Sequence, residues 1–358
     1  MHSSPLIPQK NLKAQKNKMK TAFLAQNEIN DTSLAHAGEI LRNGGLVVFP
    51  TETVYGLGAN ALDSSAAAKI YKAKGRPSDN PLIVHIASPC DADKYAVVGE
   101  EFERLAKAFM PGPLTVIMPK RDCIPNTVTG GLDSVGIRCP ENEIARALIK
   151  AAGIPIAAPS ANISGKPSPT SADHVRVDLE NKVDMIIDGG ECTVGLESTI
   201  VKIENGKITL LRPGAITLDM LSALFENIEV ADAVTNKLKD SARPLSPGMK
   251  YRHYAPTAPL YLIGGSDDKR IAYFNAADND TLLLVFDEEA KLFKNHKTIA
   301  IGSRENEAAQ AKRLFAALRE ADKENCRKIL APLPKKSGIS LALYNRMIRA
   351  AAHNIVEL

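Results

Sequence analysis

The stretch FPTETVYGLGANA, residues 49–61, indicates how this chain is built. The apolar run LVVF (46–49) leads into Pro50, and hydroxyl side chains and two glycines follow at once. Short apolar runs bounded by turn residues are typical of buried strands. Glycine lets a backbone approach a ligand closely, and hydroxyls offer neutral hydrogen-bond donors. The stretch therefore predicts a strand that is followed by either a binding loop or a plain turn.

Strand-like and helical segments alternate on the C-terminal side of this stretch. Six more runs read as strands: LIVHI (82–86), LTVIM (114–118), VGIR (135–138), IPIAA (154–158), DMIID (184–188) and STIVKI (198–203). The spacing of apolar residues predicts helices over EEFERLAKAF (100–109) and NEIARALIKAAG (142–153), the second ended by Gly153. These segments predict mixed α/β structure around a large sheet.

The C-terminal third repeats the alternation on a smaller scale. Strands are predicted for PLYLIGG (259–265), TLLLVFD (281–287) and KTIAIGS (297–303), and amphipathic helices near 304–321 and 338–356. This pattern predicts a small, doubly wound, Rossmann-like α/β domain over residues 257–358. The fold class is therefore α/β, with two domains.

The remaining segments divide the chain further. Residues 1–20 hold five lysines and no acid, which predicts a disordered basic leader, with Met19 as an alternative start. The first domain is predicted over 21–232 and a linker over 233–256. The linker contains much of the Pro-rich stretch ARPLSPGMKYRHYAPTAP (242–259), which is unlike regular structure.

Composition excludes several classes of protein. The 358 residues are 44% hydrophobic and 24% charged, which is ordinary for a globular protein. Five scattered cysteines without a CxxC pair argue against a disulfide framework or zinc finger and predict a reducing, cytoplasmic location. No apolar run reaches the roughly 18 residues of a membrane span, so a soluble protein is expected. The leader's lysines exceed the formal net charge of +4, so the rest of the chain is nearly neutral and gives no support to a basic nucleic-acid surface.

Basic residues form the first group of candidate site residues. Lys74 and Arg76 close a run of four cations that precedes His85 within KIYKAKGRPSDNPLIVHI (69–86). Such a run either lies in solvent at a helix end or holds a polyphosphate. Arg138 interrupts an apolar strand and needs an anionic partner, either a structural carboxylate or a bound one. His85 is either a core histidine or a ligand contact.

Hydroxyl and amide groups form the second group. Ser160, Asn162 and Ser168 lie in a loop punctuated by Gly and Pro, IPIAAPSANISGKPSPTSADHV (154–175), which is either a binding loop or a polar surface loop. Ser198 enters a strand in GLESTIV (195–201), and Arg212 precedes a turn in LLRPGAI (210–216). The sequence lacks GxSxG, HExxH, P-loop and GxGxxG motifs. The cations, hydroxyls and amides that the sequence offers suit a reaction driven by positioning and charge stabilisation on phosphates, as in nucleotidyl transfer.

In this order the motifs resemble those of the L-threonylcarbamoyladenylate synthase family, whose catalytic domain is of the YrdC type. The motifs are PTETVYGLG, KxKxRPxxNPLxxH, PGPLTVI, VGIRxP, APSANxSGxPSPT, GLESTI and RPG. SPGMKYRHYAP and the small α/β domain after it resemble the long, two-domain form. The resemblance implies a twisted mixed sheet with helices for residues 21–232, and a positively charged concave face.

The resemblance also implies an activity. L-Threonine, bicarbonate and ATP, with Mg²⁺ assisting, would give threonylcarbamoyl-AMP and diphosphate. The product would pass to the tRNA threonylcarbamoyl transferase machinery, which modifies adenosine beside the anticodon. A non-catalytic binder of double-stranded RNA, or a weak RNA contact alongside catalysis, is the alternative. A carbamoyl-transferring maturation enzyme is a further alternative, but it would add an acylphosphatase-like unit and CxxC zinc motifs.

Roles follow for the residues that match the motifs. The residues implied for threonine are Thr53, His85, Arg138 and Ser198. The residues implied for ATP are Arg76, Asn80, Ser134, Ser160, Ser168 and Arg212. The signature set implied for catalysis is Lys74, Arg76, Ser160 and Asn162. The basic and aromatic groups of the linker predict a lid over residues 246–256, with Tyr251 or His253 touching substrate. The sequence gives no prediction for a metal site.

Overall fold

A computed structural model describes residues 20–236, 245–247 and 253–358 of the chain. The predicted leader, except Lys20, lies outside these described residues, as does Tyr251 of the predicted lid. The limits of the predicted domains stay a prediction, since the sheets described below do not mark where one domain ends.

A large mixed sheet with helices on both faces forms the first unit. Its strands are β1 Ala22–Leu24, β2 Val47–Phe49, β3 Gly56–Asn60, β4 Ile83–His85, β5 Leu114–Pro119, β6 Ser134–Arg138, β7 Ile156–Ala158, β8 Met185–Ile187, β9 Thr199–Glu204, β10 Lys207–Arg212 and β11 Ile228–Val230. Its α-helices are α1 Asp31–Arg42, α2 Ser64–Lys74, α3 Glu100–Phe109, α4 Asn126–Thr129, α5 Glu143–Ala152, α6 Ala172–Leu179 and α7 Leu218–Ser222. In the described part of the chain the strand order is β1-β8-β2-β3-β7-β4-β6-β5-β9-β10-β11.

Both faces of this sheet are buried, which explains its nearly continuous apolar strands. Met185 and Ile187 of β8 pack with α1 and α5, whereas Ile186 between them joins the larger cluster on the other face. The helices predicted over 100–109 and 142–153 are confirmed as α3 and α5. Gly153 ends α5 at a φ of 65°, in the left-handed region that glycine adopts readily.

A five-stranded parallel sheet forms the second unit, as the fold class predicted. Its strands are β12 Leu260–Gly264, β13 Thr281–Val285, β14 Lys297–Ala300, β15 Lys328–Pro332 and β16 Ile355–Glu357, in the order β14-β13-β15-β12-β16. Its α-helices are α8 Asp267–Asn275, α9 Glu307–Ala321 and α10 Ser340–Ala350. Within the described residues, no helix combines the length and apolar composition needed to cross a membrane.

The two units share part of one hydrophobic core. Val54 and Leu196 from loops of the first unit pack in the same cluster as α9 and α10. Tyr254 joins them, with its ring 5.2 Å from that of Phe315. The contact is close at Gly195, where an added Cβ would lie 2.5 Å from the Cα of Lys312 and the φ is 79°. The second unit is therefore packed directly against loops that lead to the cavity described next.

Candidate active site

Strand ends bring the candidate residues to one edge of the large sheet. β4 and β6 are parallel neighbours, and their register pairs His85 with Arg138. Ser198 precedes β9 and Arg212 ends β10, and these two strands are antiparallel, so the two residues meet. Ser160, just beyond β7, bridges to Gly56 at the start of β3. This topology surrounds a cavity of about 50 Å³.

Nine of the residues singled out in the sequence line this cavity: Lys74, Arg76, His85, Arg138, Ser160, Asn162, Ser198, Arg212 and His253. Among the described lining residues, the basic side chains outnumber the single carboxylate, Glu197. Basic groups held in a buried pocket act more strongly on an anion than they would in water. The cavity is therefore suited to a ligand with several negative charges.

Four other candidate residues lie behind or beside the lining. Thr53 is buried, and its hydroxyl is 2.8 Å from that of Thr51, which does line the cavity. The Asn80 carbonyl accepts a hydrogen bond from Arg76, and the Ser168 hydroxyl donates one to Glu197. Ser134 lines a small adjoining cavity together with Leu245 and Pro247 of the linker. These four can act on a ligand only through their neighbours or after the linker moves.

Arg138 has a structural carboxylate as its partner, one of the two alternatives that its sequence left open. Its Nη2 donates to Oε1 of Glu52 at 2.7 Å, and both side chains are buried. The other Glu52 oxygen accepts the backbone N–H of Glu141. The Nε of Arg138 has no hydrogen-bond partner among the residues that the structure describes. Glu52 therefore fixes the guanidinium of Arg138, and the Nε–H of Arg138 remains available to a ligand in the cavity.

Lys74 is a buried group and not part of a solvated helix face, although it ends α2 within a run of cations. Its Nζ donates to the backbone carbonyls of Ser160 and Asn162. Burial, and then the charge of Arg76, lower the pKa of this amine well below its usual value. An anionic ligand would favour the protonated form. Lys74 thus links helix α2 to the binding loop and responds to charge in the cavity.

The loop that follows β7 is fixed by its own polar groups. The Ser160 hydroxyl donates to Oδ1 of Asn162 at 2.5 Å. The Asn162 amide donates to the carbonyls of Ile163 and Lys166, at 2.8 and 2.9 Å. These bonds hold the segment in addition to the apolar contacts of Ala161 and Ile163 with the core. A polar loop of this kind keeps its donors at set positions before a ligand arrives.

Arg212 and Ser198 form a second polar group across the cavity. The Nε of Arg212 donates to the Ser198 carbonyl at 3.0 Å and its Nη2 to the Ser198 hydroxyl at 3.2 Å. That hydroxyl is also 2.7 Å from the hydroxyl of Thr115. Burial lowers the pKa of Arg212 to about 10, so it stays protonated at neutral pH.

Two histidines at the cavity, the buried His85 and the half-buried His253, stay neutral at neutral pH. Burial and then Arg138 lower the pKa of His85 to about 3, and its Nδ1 lies 3.1 Å from the Ile83 carbonyl. Burial and nearby cations lower the pKa of His253 to about 3 as well. His253 reaches the cavity from the linker, and its Nε2 finds no partner in the described residues. Both rings therefore offer neutral hydrogen-bonding groups to a ligand.

Sequence reasoning missed the residues whose partners are remote in the chain. Glu52 and Glu197 each hold a basic residue, at sequence separations of 86 and 149. Tyr254 lines the cavity while packing in the shared core. A buried acidic residue in a polar motif indicates a cationic partner, but residue spacing in the sequence does not identify which residue that partner is. No group of three or more potential metal ligands occurs in the part of the chain that is described.

Two family profiles match the chain. Residues 39–214 match the Sua5/YciO/YrdC family profile, which is described as "Telomere recombination". Residues 216–352 match the profile described as "Threonylcarbamoyl-AMP synthase, C-terminal domain". Together the two profiles cover all the strands of both sheets except β1 and β16.

Two relatives and one solved structure match almost the whole chain. Threonylcarbamoyl-AMP synthase of Pyrococcus abyssi is 44% identical, over 93% of this chain and 98% of that protein. The enzyme of the same name from Bacillus subtilis is 42% identical, over 92% and 95%. A crystal structure of P. abyssi Sua5 complexed with L-threonine has a TM-score of 0.86 at 42% identity, and covers 94% of this chain and 99% of that one. The chain therefore belongs to the threonylcarbamoyl-AMP synthase family.

Proposed function

We propose that this chain makes threonylcarbamoyl-AMP and diphosphate from L-threonine, bicarbonate and ATP. The observation that carries the proposal is the cavity, where buried basic groups meet neutral hydroxyl, amide and imidazole groups. Relatives named threonylcarbamoyl-AMP synthase match the chain over nearly its full length. An ATP-dependent reaction also supports the predicted cytoplasmic location.

The proposed chemistry needs no covalent enzyme intermediate. The threonine amine attacks the carbon of bicarbonate, which loses water and leaves a carbamate. A carbamate oxygen then attacks the α-phosphorus of ATP, and the bond from that phosphorus to the bridging oxygen breaks to release diphosphate. Negative charge accumulates on the departing diphosphate, and fixed basic groups lower the energy of that state.

We propose that threonine lies beside the ends of β4 and β6. Arg138 would bind its carboxylate through the donor that Glu52 leaves available. Ser198 and the neutral His85 would meet its polar groups, and Thr53 would act through the Thr51 hydroxyl. The likeness to a structure complexed with L-threonine supports this placement.

We propose that ATP occupies the side of the cavity formed by α2 and the loop after β7. The residues proposed for its binding are Arg76, Asn80, Ser134, Ser160, Ser168 and Arg212. Lys74, Arg76, Ser160 and Asn162 would surround the reacting phosphates. Glu197 is engaged by Ser168 and Arg346, and no group of three or more potential metal ligands occurs among the described residues. Mg²⁺ would be bound through the phosphate oxygens of ATP, as is usual for this ion at nucleotide sites.

We propose that the linker covers the substrates. Pro247, His253 and Tyr254 line the cavity and leave about 50 Å³, whereas sites for molecules of drug size are roughly 300–1,000 Å³. These residues must move to admit ATP and can return over it. Exclusion of water would protect a mixed anhydride from hydrolysis. His253 would then touch substrate.

The RNA-binding alternative has less support. Lys74, Arg76, Arg138 and Arg212 are between 2% and 9% exposed, so they cannot reach the backbone of an RNA duplex. Phosphate contacts to a duplex come from basic groups at the protein surface. Transfer of the product to the tRNA-modifying machinery remains part of the proposal.

Diphosphate release from ATP should require both threonine and bicarbonate. Serine, which lacks only the methyl group of threonine, should be a poorer substrate by about 10- to 150-fold, the discrimination that contacts to one small apolar group provide. Diphosphate would be measured by a coupled assay in buffer depleted of CO₂, with each substrate restored in turn. Equal rates with serine and threonine, or full release without bicarbonate, would contradict the assignment.

A further inference from the structure

Arg346 of the second unit reaches into the wall of the candidate active site. Its side chain lies on α10 and is 0% exposed. Its Nε donates to Oε2 of Glu197 at 3.0 Å, and its Nη2 to the Glu197 carbonyl at 3.1 Å. Its Nη1 donates to the carbonyl of Pro213, the residue after Arg212, at 2.5 Å. One side chain of α10 therefore holds two of the segments that form the cavity.

Glu197 is the one carboxylate among the described residues that line the cavity. Its other oxygen accepts the hydroxyl of Ser168 at 2.5 Å. Burial alone would raise its pKa, but Arg346 and then Arg212 hold the pKa of Glu197 below its usual value. The group is thus a buried carboxylate that requires a cationic partner.

A buried carboxylate without Arg346 would turn to the remaining cations. Arg212 and Lys74 both interact electrostatically with Glu197. An ion pair with either would neutralise a basic group that the proposed reaction uses on ATP. Breaking one side of a buried ion pair is costly because the other charge stays buried. Arg346 therefore determines which partner the carboxylate takes.

We propose that Arg346 is a positioning residue of the active site. It neutralises Glu197 and holds Ser168 through it, so that Arg212 and Lys74 face the nucleotide. The second unit thereby completes the ATP site from behind, without touching substrate. This inference rests on the proposed function.

A second buried arginine of the same interface provides a matched control. Arg319 on α9 donates to Oδ2 of Asp178 at 2.7 Å and to the Pro167 carbonyl at 2.6 Å. Asp178 and Pro167 are absent from the lining of the cavity. Asp178 keeps a second cation at 3.3 Å, Lys166. Loss of Arg319 should weaken docking of the two units, and Lys166 still gives a cationic partner to Asp178, which acts electrostatically on Lys74.

The test compares Arg346→Met, Arg346→Met with Glu197→Gln, and Arg319→Met in the full chain. Diphosphate release at varied ATP and varied threonine gives the two KM values, and thermal unfolding gives stability. Arg346→Met should raise the KM for ATP at least about tenfold, because it removes a charged hydrogen bond. The KM for threonine should rise less. The double variant should return the KM for ATP to within about threefold, because it removes both charges. Arg319→Met should lower Tm but leave the KM for ATP within about threefold.

The outcomes separate a positioning role from a docking role. An unchanged KM for ATP in Arg346→Met, or a double variant as impaired as the single one, would overturn the proposal. If Arg346→Met fails to fold, Arg346→Lys decides. Lysine keeps a charge beside Glu197 but loses the separate contacts that the guanidinium makes to Glu197 and Pro213, so the KM for ATP should rise by about threefold to tenfold and the KM for threonine should stay within about threefold. Equal changes in the two KM values would overturn the proposal too. Failure of the unmodified chain to form product would instead contradict the proposed function.

Discussion

Replacing Lys74 with methionine should lower turnover by about 100- to 1,000-fold, the range seen when an enzyme loses one group that stabilises charge in the transition state. The amine binds the carbonyls of Ser160 and Asn162 and lies beside Arg76. Its loss would remove a cation near the phosphates and leave two buried carbonyls unpaired. The free energy of unfolding should also fall, by about 1–3 kcal/mol.

Lys72→Met is the control for this prediction. Lys72 belongs to the same run of cations but is exposed. Its replacement should change the free energy of unfolding by less than about 0.5 kcal/mol and leave turnover unchanged. Diphosphate release and urea unfolding measure the two effects. Wild-type turnover in Lys74→Met would mean that the residue only supports the loop.

Replacing Arg138 with lysine should raise the KM for threonine by about 10- to 150-fold, which corresponds to a charged hydrogen bond worth about 1.5–3 kcal/mol. Arginine can bind Glu52 and a substrate carboxylate at once because its donors point in fixed directions. An ammonium group keeps the charge but cannot serve both partners in this geometry. The KM for ATP should change by less than about threefold, since the Glu52 pair is retained.

Arg313→Lys is the matched control for Arg138. Arg313 binds both oxygens of Glu320 on α9, and neither residue lines the cavity. Arg313→Lys likewise removes the two-donor contact of a guanidinium with a carboxylate, but the KM values for threonine and ATP should both stay unchanged. Steady-state kinetics at varied threonine decides between the outcomes. An unaltered threonine KM in Arg138→Lys would show that Arg138 serves Glu52 alone.

Local sequence patterns predict those helices and strands whose ends are marked by residues in the sequence itself. The helix over 100–109 is correct because apolar spacing and the Pro-Gly-Pro that follows define it. The last helix was predicted to run to 356 but ends at Ala350, and β16 follows it. Ala352 and His353 adopt positive φ there. The sequence has no glycine or proline at that turn, and Arg349 and Asn354 are weaker signals of a helix end.

The site was predictable as a set of residues but not as an arrangement. Gly56–Asn60 forms β3, although its glycines suggested a turn, because it is paired with strands on both sides. The burial of Lys74 depends on carbonyls of a loop more than 80 residues away. The same holds for Arg346, whose partner is 149 residues distant. Such pairings come from the topology of the sheet and the docking of the second unit, which residue spacing does not contain.

The most direct test of the account is the mass of the nucleotide product. The purified chain would be incubated with ATP, Mg²⁺, L-threonine and bicarbonate that carries carbon-13, and the nucleotides would be analysed at once by mass spectrometry. We expect threonylcarbamoyl-AMP, which carries the labelled carbon and is absent when threonine is omitted. Formation of only AMP or ADP, with no labelled carbon in any nucleotide, would contradict it.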